Sequence, residues 1–369
     1  MRKNEIINIL ESFENWRESY NGRDYGLGVD EYYSEEKLHY PEAYAKLGNG
    51  YLFLYKSLQD RKYLDKATEC AQWLLKNSYT KEWKSWGLPF KYKCVPAFSP
   101  YLLTTVFVGD FLLNYFHITN DEEILKVVLS IADYLFENYY VEEAKSYFVY
   151  SLHSCLSYNI YNATSLALGF LSNLKEYLSF RNLEKLEKVY NTLLSSQIKY
   201  NIWGYSDDNN LIDLLHSVYT IEGLLEYSKN LKDDNLDVIY KAYKFTKKFF
   251  ITKNGFCIRT LPRISKLELK ELLSYIKRII KYKVKLFTSN DEARLWGYAA
   301  ALRLGVKMGN FDLAFNILNF VKNNLFVDEG YFKYKSSDSR IFIRHEAHIF
   351  EAISLLFYRA KGGEMSEVN

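Results

Sequence analysis

The fold is decided by the stretch LTTVFVGDFLLNYF at residues 103–116, which is apolar around nearly its whole circumference when wound as a helix. ATSLALGFLSNL (163–174) and GYAAALRLGV (297–306) share this character. KYLDKATECAQWLLKN (62–77) and NLEKLEKVYNTLLSSQ (182–197) instead carry one charged face. Because an all-apolar helix must be buried and a one-faced helix borders solvent, the pattern predicts inner helices alternating with outer ones.

Helical periodicity extends over most of the chain and predicts twelve helices. They are expected near residues 2–20, 40–57, 63–78, 99–118, 121–140, 158–177, 182–200, 211–230, 235–250, 289–307, 310–325 and 344–361. Connections after even-numbered helices are short, whereas those after odd-numbered helices are long and contain aromatic, strand-like runs. The chain is therefore an internal repeat of roughly 55–60 residues, each a helical hairpin.

Six such hairpins close into a ring, so we expect an all-α (α/α)6 toroid, one domain over residues 1–369, with short β-hairpins in the rim loops. An open α-solenoid also repeats helix pairs. It does not require long loops on one rim, and the alternation of loop lengths therefore favours the toroid.

One segment, LPRISKLELKELLSYIKRIIKYKVKLF at 261–287, interrupts the repeat. Its eight basic and two acidic residues give +6, so the rest of the chain is −3. We expect a basic helical insertion, and three interpretations remain: a helix packed on the rim, a lid over an anionic substrate, or a peripheral membrane contact.

Composition excludes several classes of protein. The 48 basic and 45 acidic residues leave a net charge of +3, which does not predict nucleic-acid binding. Four scattered cysteines predict neither a zinc ribbon nor a dense disulfide framework. The charged N-terminus lacks an apolar signal core, and no run is long enough to predict a transmembrane helix. We expect a cytoplasmic protein.

The long loops and the N-termini of the inner helices share one rim, where unpaired N–H groups favour an anionic or hydroxyl-rich ligand. His216 lies three residues after Asp213 and suits a general base, although a hydrogen-bonded core histidine is the alternative. Asp207 and Asp208 could join Asp213 in carboxylate chemistry, or they could form a turn.

Three more polar residues stand at starts of inner helices. Asn162 is buried by pattern and needs a partner, which a substrate could provide. Arg294 and Arg344 oppose the helix dipole, which indicates an anionic partner, either Asp291 or Glu346 or a ligand carboxylate or phosphate.

His345 and His348 are three residues apart on one helix, but HExxH spacing and a cysteine cluster are lacking, so we predict substrate contacts and no metal or cofactor. Rim aromatic residues either stack on sugar faces or pack the loops. They are Trp86, Tyr92, Tyr150, Trp203, Tyr205, Trp296 and Tyr331.

A series of short motifs follows in order along the chain. They are WGLPF (86–90), PYLLTT (100–105), YNATSLA (161–167), IDLLHSVYTIEGL (212–224), GYFKY (330–334) and RHEAHIFEA (344–352). Their order resembles the (α/α)6 toroids of carbohydrate-active proteins, in particular those encoded with surface-polysaccharide genes. More distantly it resembles uronate polysaccharide lyases and the helical domain of uronyl C5-epimerases. The two histidines of the last motif depart from the pattern.

The resemblance to the lyases implies roles for Asn162, His216, Tyr219 and Arg294. The asparagine and arginine would neutralise the substrate carboxylate, and the histidine or tyrosine would take the C5 proton. Other toroids are glycoside hydrolases with two carboxylates, or sugar 2-epimerases with paired histidines.

We therefore predict an enzyme acting on a uronate-containing poly- or oligosaccharide, a lyase or glycoside hydrolase of surface-polysaccharide metabolism. A non-catalytic glycan-binding or assembly protein and a sugar epimerase are the alternatives. The expected partner is a carbohydrate.

Overall fold

The computed structural model describes residues 3–79, 84–198, 201–231, 235–261 and 291–362. The predicted basic insertion at 261–287 lies outside these residues, apart from Leu261. The described residues form twelve α-helices, as predicted. They are α1 (Lys3–Asn21), α2 (Pro41–Leu58), α3 (Arg61–Lys76), α4 (Leu102–Thr119), α5 (Glu122–Tyr134), α6 (Tyr161–Ser172), α7 (Phe180–Ser195), α8 (Leu214–Leu231), α9 (Leu236–Phe250), α10 (Leu295–Lys307), α11 (Phe311–Asn324) and α12 (Ile343–Gly362).

The even-numbered helices form a closed inner ring. Each packs on the next even-numbered helix, and α12 packs on α2 to complete the circle. The odd-numbered helices lie outside, and outer helices such as α3 and α5 begin at Asp60 and Asp121, whose side chains cap the first turn. The closed ring confirms the (α/α)6 toroid and excludes the open solenoid.

Short antiparallel strand pairs occupy the long loops of one rim. They are β1 (Leu27–Asp30) with β2 (Tyr33–His39), β3 (Tyr140–Glu142) with β4 (Ser146–Phe148), and β5 (Ile212–Asp213) with β6 (Thr260–Leu261). The aromatic runs outside β4 form isolated bridges rather than strands, for example Phe326 with Phe332. The β1–β2 hairpin was not predicted, since its second strand is mostly charged and exposed.

Helix α4 is the only described helix long and apolar enough to cross a membrane, and 72% of its residues are buried. It belongs to the inner ring, so its apolar character is that of a core helix.

A layer of buried charges crosses the middle of the ring. Arg303 of α10 donates to Glu222 of α8 at 3.0 Å and to Glu351 of α12 at 3.0 Å, and Lys46 of α2 lies 3.1 Å from Glu351. We call these four residues the ionic layer. They tie four inner helices together and separate a cavity at the long-loop end from another at the short-turn end.

Candidate active site

A cavity of about 260 Å³ lies at the long-loop end, among the N-termini of the inner helices. Ten residues singled out from the sequence line it. They are Tyr92, Tyr150, Asn162, Tyr205, Asp213, His216, Tyr219, Arg294, Trp296 and Arg344. The location at this rim agrees with the sequence analysis, and the roles of the individual side chains stay predictions.

The side chains of Asp213 and His216 form a hydrogen-bonded pair on the cavity wall. His216 Nδ1 bonds to one carboxylate oxygen of Asp213, and the backbone N–H of His216 donates to the other at 3.0 Å. Burial opposes ionisation of Asp213, but the adjacent His216 holds the pKa of the carboxyl below its usual range. An ionised carboxylate only accepts, so in the neutral imidazole Nδ1 carries the proton and Nε2 presents a lone pair.

The ring of Tyr205 fixes the imidazole from the side. Its centroid lies 4.6 Å from that of His216 in an edge-on arrangement. The His216 side chain is about one quarter exposed, at 23%, so a ligand can reach it. An oriented, accessible imidazole with a free lone pair is the arrangement that a general base requires.

Asn162 lies in the first turn of α6 and is 4% exposed. Its Oδ1 has no hydrogen-bond partner among the described residues. A buried amide oxygen without a partner is costly, and a ligand or water donor in the cavity would satisfy it.

The hydroxyl of Tyr219 is held by two aromatic side chains. Trp296 Nε1 donates to it at 2.5 Å, and His348 Nδ1 lies 3.4 Å away. His348 stacks on Trp296, and its Nε2 bonds to Glu42 Oε1 at 2.7 Å. Burial raises the pKa of Tyr219 well above its usual value, so the hydroxyl keeps its proton at neutral pH.

The two arginines at starts of inner helices are already paired. Arg344 binds Asp30 through Nε at 2.6 Å and Glu42 through Nη1 at 3.1 Å. Arg294 donates to Glu31, whose pKa is lowered: burial opposes ionisation, but His345 and Arg294 outweigh it. The sequence alternatives Asp291 and Glu346 are therefore wrong as partners; Glu346 instead accepts the N–H of Phe332.

Two further cations stand at the cavity with exposed side chains. Lys93 and Arg259 make no ion pair or hydrogen bond through their side chains to the described residues. The β5–β6 pairing places Arg259 there, because Leu214 N donates to Arg259 O at 2.9 Å. An anionic group entering the cavity would find both charges unneutralised.

Several predicted contacts do not reach this cavity. The indole N–H groups of Trp86 and Trp203 donate to the backbone oxygens of Leu74 and Leu193, and both rings are buried in the wall. Their loop-packing interpretation is correct and the sugar-stacking interpretation is wrong. Tyr331 packs on Trp16, also away from the cavity.

The remaining predicted contacts also lie elsewhere. Asp207 forms an ion pair with Lys145 and accepts a hydrogen bond from the Tyr161 hydroxyl at 2.9 Å. Asp208 is exposed in the same turn, which agrees with the turn-forming alternative for both residues. His345 and His348 are buried and bind different carboxylates, Glu31 and Glu42. No group of three His, Cys, Asp or Glu side chains suited to a metal occurs in the described parts of the chain.

The residues of the cavity that the sequence analysis did not single out include Glu42, Lys93, Arg259 and Tyr32. Of these residues, only Glu42 could have been found from the sequence, because it lies in the first turn of an inner helix. A larger cavity, of about 800 Å³, lies at the short-turn end of the ring, where the sequence analysis placed no site.

A disulfide between Cys94 and Cys155 joins two of the loops that border the cavity. Lys93 and Leu156, each next to one of these cysteines, both line it. The cross-link therefore restrains the cavity's mouth.

Solved structures of similar fold include several carbohydrate-active proteins. Cellobiose 2-epimerase from Bacillus thermoamylovorans B4167 has a TM-score of 0.68 at 13% identity, over 97% of this chain and 98% of that one. Unsaturated glucuronyl hydrolase from Bacillus sp. GL1 has a TM-score of 0.66 at 10% identity, over 95% and 96%. A polysaccharide lyase has a TM-score of 0.60 at 11% identity, over 100% and 99%. No protein-family model and no curated protein matches the chain. These low identities establish the shared toroid fold.

Proposed function

We propose that this chain is an enzyme that cleaves a uronate-containing poly- or oligosaccharide by β-elimination, a lyase in the surface-polysaccharide setting that its motifs imply. The observation that carries the proposal is the His216–Asp213 pair on a cavity wall, with the Nε2 lone pair of His216 unused by the described residues. A base is the group that removal of a proton beside a carboxylate requires.

The cavity offers a side chain for each proton transfer of the elimination and for the charge that develops. His216 Nε2 takes the proton from the carbon next to the carboxylate, and that electron pair forms the C=C bond while the glycosidic C–O bond breaks. The Tyr219 hydroxyl, which lines the same cavity, supplies the proton to the leaving oxygen. Arg259, Lys93 and the Nδ2 group of Asn162 stabilise the negative charge that builds on the carboxylate.

The two carboxylates that line the cavity among the described residues are both bound to other side chains, which favours elimination over hydrolysis. Hydrolysis needs one carboxyl group as acid and another as base or nucleophile. The two carboxylates that line the cavity in the described residues are Asp213 and Glu42, and Glu42 is bound to His348 and Arg344. Asp213 is bound to His216. Neither is free to act alone.

A sugar epimerase is the second candidate, and one observation supports it. Epimerisation needs a second acid–base group on the opposite face of the sugar. His348 of α12 lies behind Tyr219, with its Nδ1 3.4 Å from the Tyr219 hydroxyl that lines the cavity. The similarity in fold to cellobiose 2-epimerases agrees with this candidate.

The test is turnover of uronate-containing oligosaccharides by the purified protein and by His216→Ala. Elimination creates a conjugated C=C–carboxylate that absorbs in the ultraviolet, and the variant should lose about 10²-fold or more of the rate. The matched control is His153→Ala, a rim histidine outside the cavity lining, which should keep the wild-type rate.

Other outcomes identify the alternatives. Cleavage without ultraviolet absorbance indicates hydrolysis, and a changed sugar without cleavage indicates epimerisation. Binding without any turnover indicates a glycan-binding protein. Each of these contradicts the lyase.

A further inference from the structure

The larger cavity, of about 800 Å³, lies across the ionic layer from the candidate active site. It is lined by the C-terminal halves of the inner helices, and Glu222, Arg303 and Glu351 form its inner end. Its volume falls in the range of roughly 300–1,000 Å³ that small-ligand sites occupy. Neither the sequence motifs nor the proposed lyase chemistry uses it.

The outer end of this cavity carries three basic side chains in addition to the Lys307–Glu226 ion pair. His117, Lys229 and Arg359 line it, and none makes a side-chain hydrogen bond or ion pair to the described residues. Partial burial lowers the pKa of Lys229 and outweighs Glu226, which raises it, and Lys307 and Arg359 lower it further. Burial and Lys56 lower that of His117. A single cation at a helix C-terminus is stabilised by the helix dipole. Several cations close together repel one another, and a bound anion would relieve that repulsion.

The interior of the cavity offers groups suited to hydroxyls. Asn114 donates to Asn49 at 3.0 Å, and Asn49 donates to Glu351 at 3.2 Å, so Asn114 is held in place on the wall. Asp110 faces the same space, and its carboxylate has no hydrogen bond to the described residues. Phe53, which is partly exposed, supplies aromatic surface for the face of a sugar ring.

We propose that this cavity is a second binding site, for a small sugar acid. The ligand carboxylate lies against Lys229 and Arg359 at the outer end, and its hydroxyls reach Asp110 and Asn114 inside. The site is independent of the lyase chemistry, since the ionic layer separates the two cavities.

The test is calorimetric titration of the full chain with D-glucuronate, carried out in an Arg259→Gln background that weakens carboxylate binding at the other cavity. Adding Lys229→Gln and Arg359→Gln should weaken the remaining binding by about tenfold or more, because charge-assisted hydrogen bonds are lost. Both side chains are exposed at helix ends, so the fold should persist, which circular dichroism checks. Lys247→Gln, which removes an exposed charge on the outer helix α9, should change nothing.

Three results would overturn the proposal. One is glucuronate affinity that the Lys229→Gln and Arg359→Gln changes leave unaltered, which would place all binding elsewhere. Another is no glucuronate binding in the Arg259→Gln background. The third is binding of inorganic phosphate at these residues with glucuronate inert, which would make it a phosphate site. None of these results bears on ultraviolet-detected turnover, so the lyase proposal stands or falls separately.

Discussion

At the scale of the residue, the geometry around His216 is the part of the site that sequence spacing could predict. An Asp three residues before a His, at the start of a helix, brings the carboxylate to both the backbone N–H and the imidazole. Asp213 therefore has two functions, as helix cap and as the group that orients His216.

These two functions can be separated by Asp213→Asn. The amide Oδ1 still accepts the His216 N–H and caps α8, but Nδ2 cannot accept from the imidazole. We expect kcat to fall by about 10²-fold or more, as for other misoriented imidazole bases, with little change in thermal stability. Asp213→Glu should restore part of the rate. Wild-type kcat in Asp213→Asn would contradict the orienting role.

Other residues of the site could not be predicted, because their partners are remote in sequence. Arg344 meets Asp30, which lies 314 positions away. Trp86 and Trp203 turn into the wall because the backbone oxygens of Leu74 and Leu193 face them. Nothing in the local pattern of an aromatic rim residue distinguishes this orientation from one facing the cavity.

For whole elements, helices that are apolar around their full circumference could be assigned to the inner ring from the sequence. The distance between neighbouring inner helices could not be predicted in this way. Helices α6 and α8 carry the candidate base and Asn162, and they meet at Gly223. A Cβ on Gly223 would lie 1.9 Å from Ser165 O, so no larger residue fits without moving the helices.

We expect Gly223→Ala to destabilise the fold by about 1–3 kcal/mol, the cost of overpacking a close contact. Separation of α6 from α8 should also raise KM, since Asn162 and His216 would move apart. Urea unfolding and steady-state kinetics measure the two effects. The control is Gly309→Ala, in a short turn where a Cβ meets no atom within 4 Å, although its positive φ adds local strain. Equal stability of Gly223→Ala and wild type would contradict the packing.

At the scale of the whole molecule, the ionic layer links the ring's stability to pH. Burial opposes ionisation of Glu351, but Lys46 and Arg303 outweigh it and lower its pKa from 4.5 to about 2. A carboxyl whose folded pKa is depressed stabilises the fold above its unfolded pKa. That contribution is lost as the pH falls from about 4.5 towards 2.

Glu351→Gln should therefore lower the free energy of unfolding at neutral pH. Its free energy of unfolding should also depend less on pH between 4.5 and 2 than that of the wild type. Lys46 and Arg303 would each lose a buried partner, which costs about 3–5 kcal/mol. Chemical unfolding at several pH values measures both effects. A variant that keeps the wild-type slope between pH 4.5 and 2 would show that another group is responsible.

The cytoplasmic location expected from the sequence stays a prediction. The Cys94–Cys155 disulfide bears on it, because disulfides are rare in most cytosolic proteins. Thiol labelling of the native protein would establish whether the bond forms where the chain resides.

If His216 is the base, the long-loop cavity binds a uronate with its reacting carbon at this residue. A crystal structure of His216→Ala with a bound uronate-containing oligosaccharide would show where the sugar carboxylate lies. We predict a sugar carboxylate beside Arg259 or Asn162, and the adjacent C–H directed at the space the imidazole vacates. An oligosaccharide bound outside this cavity, or with its carboxylate turned away from position 216, would contradict the account.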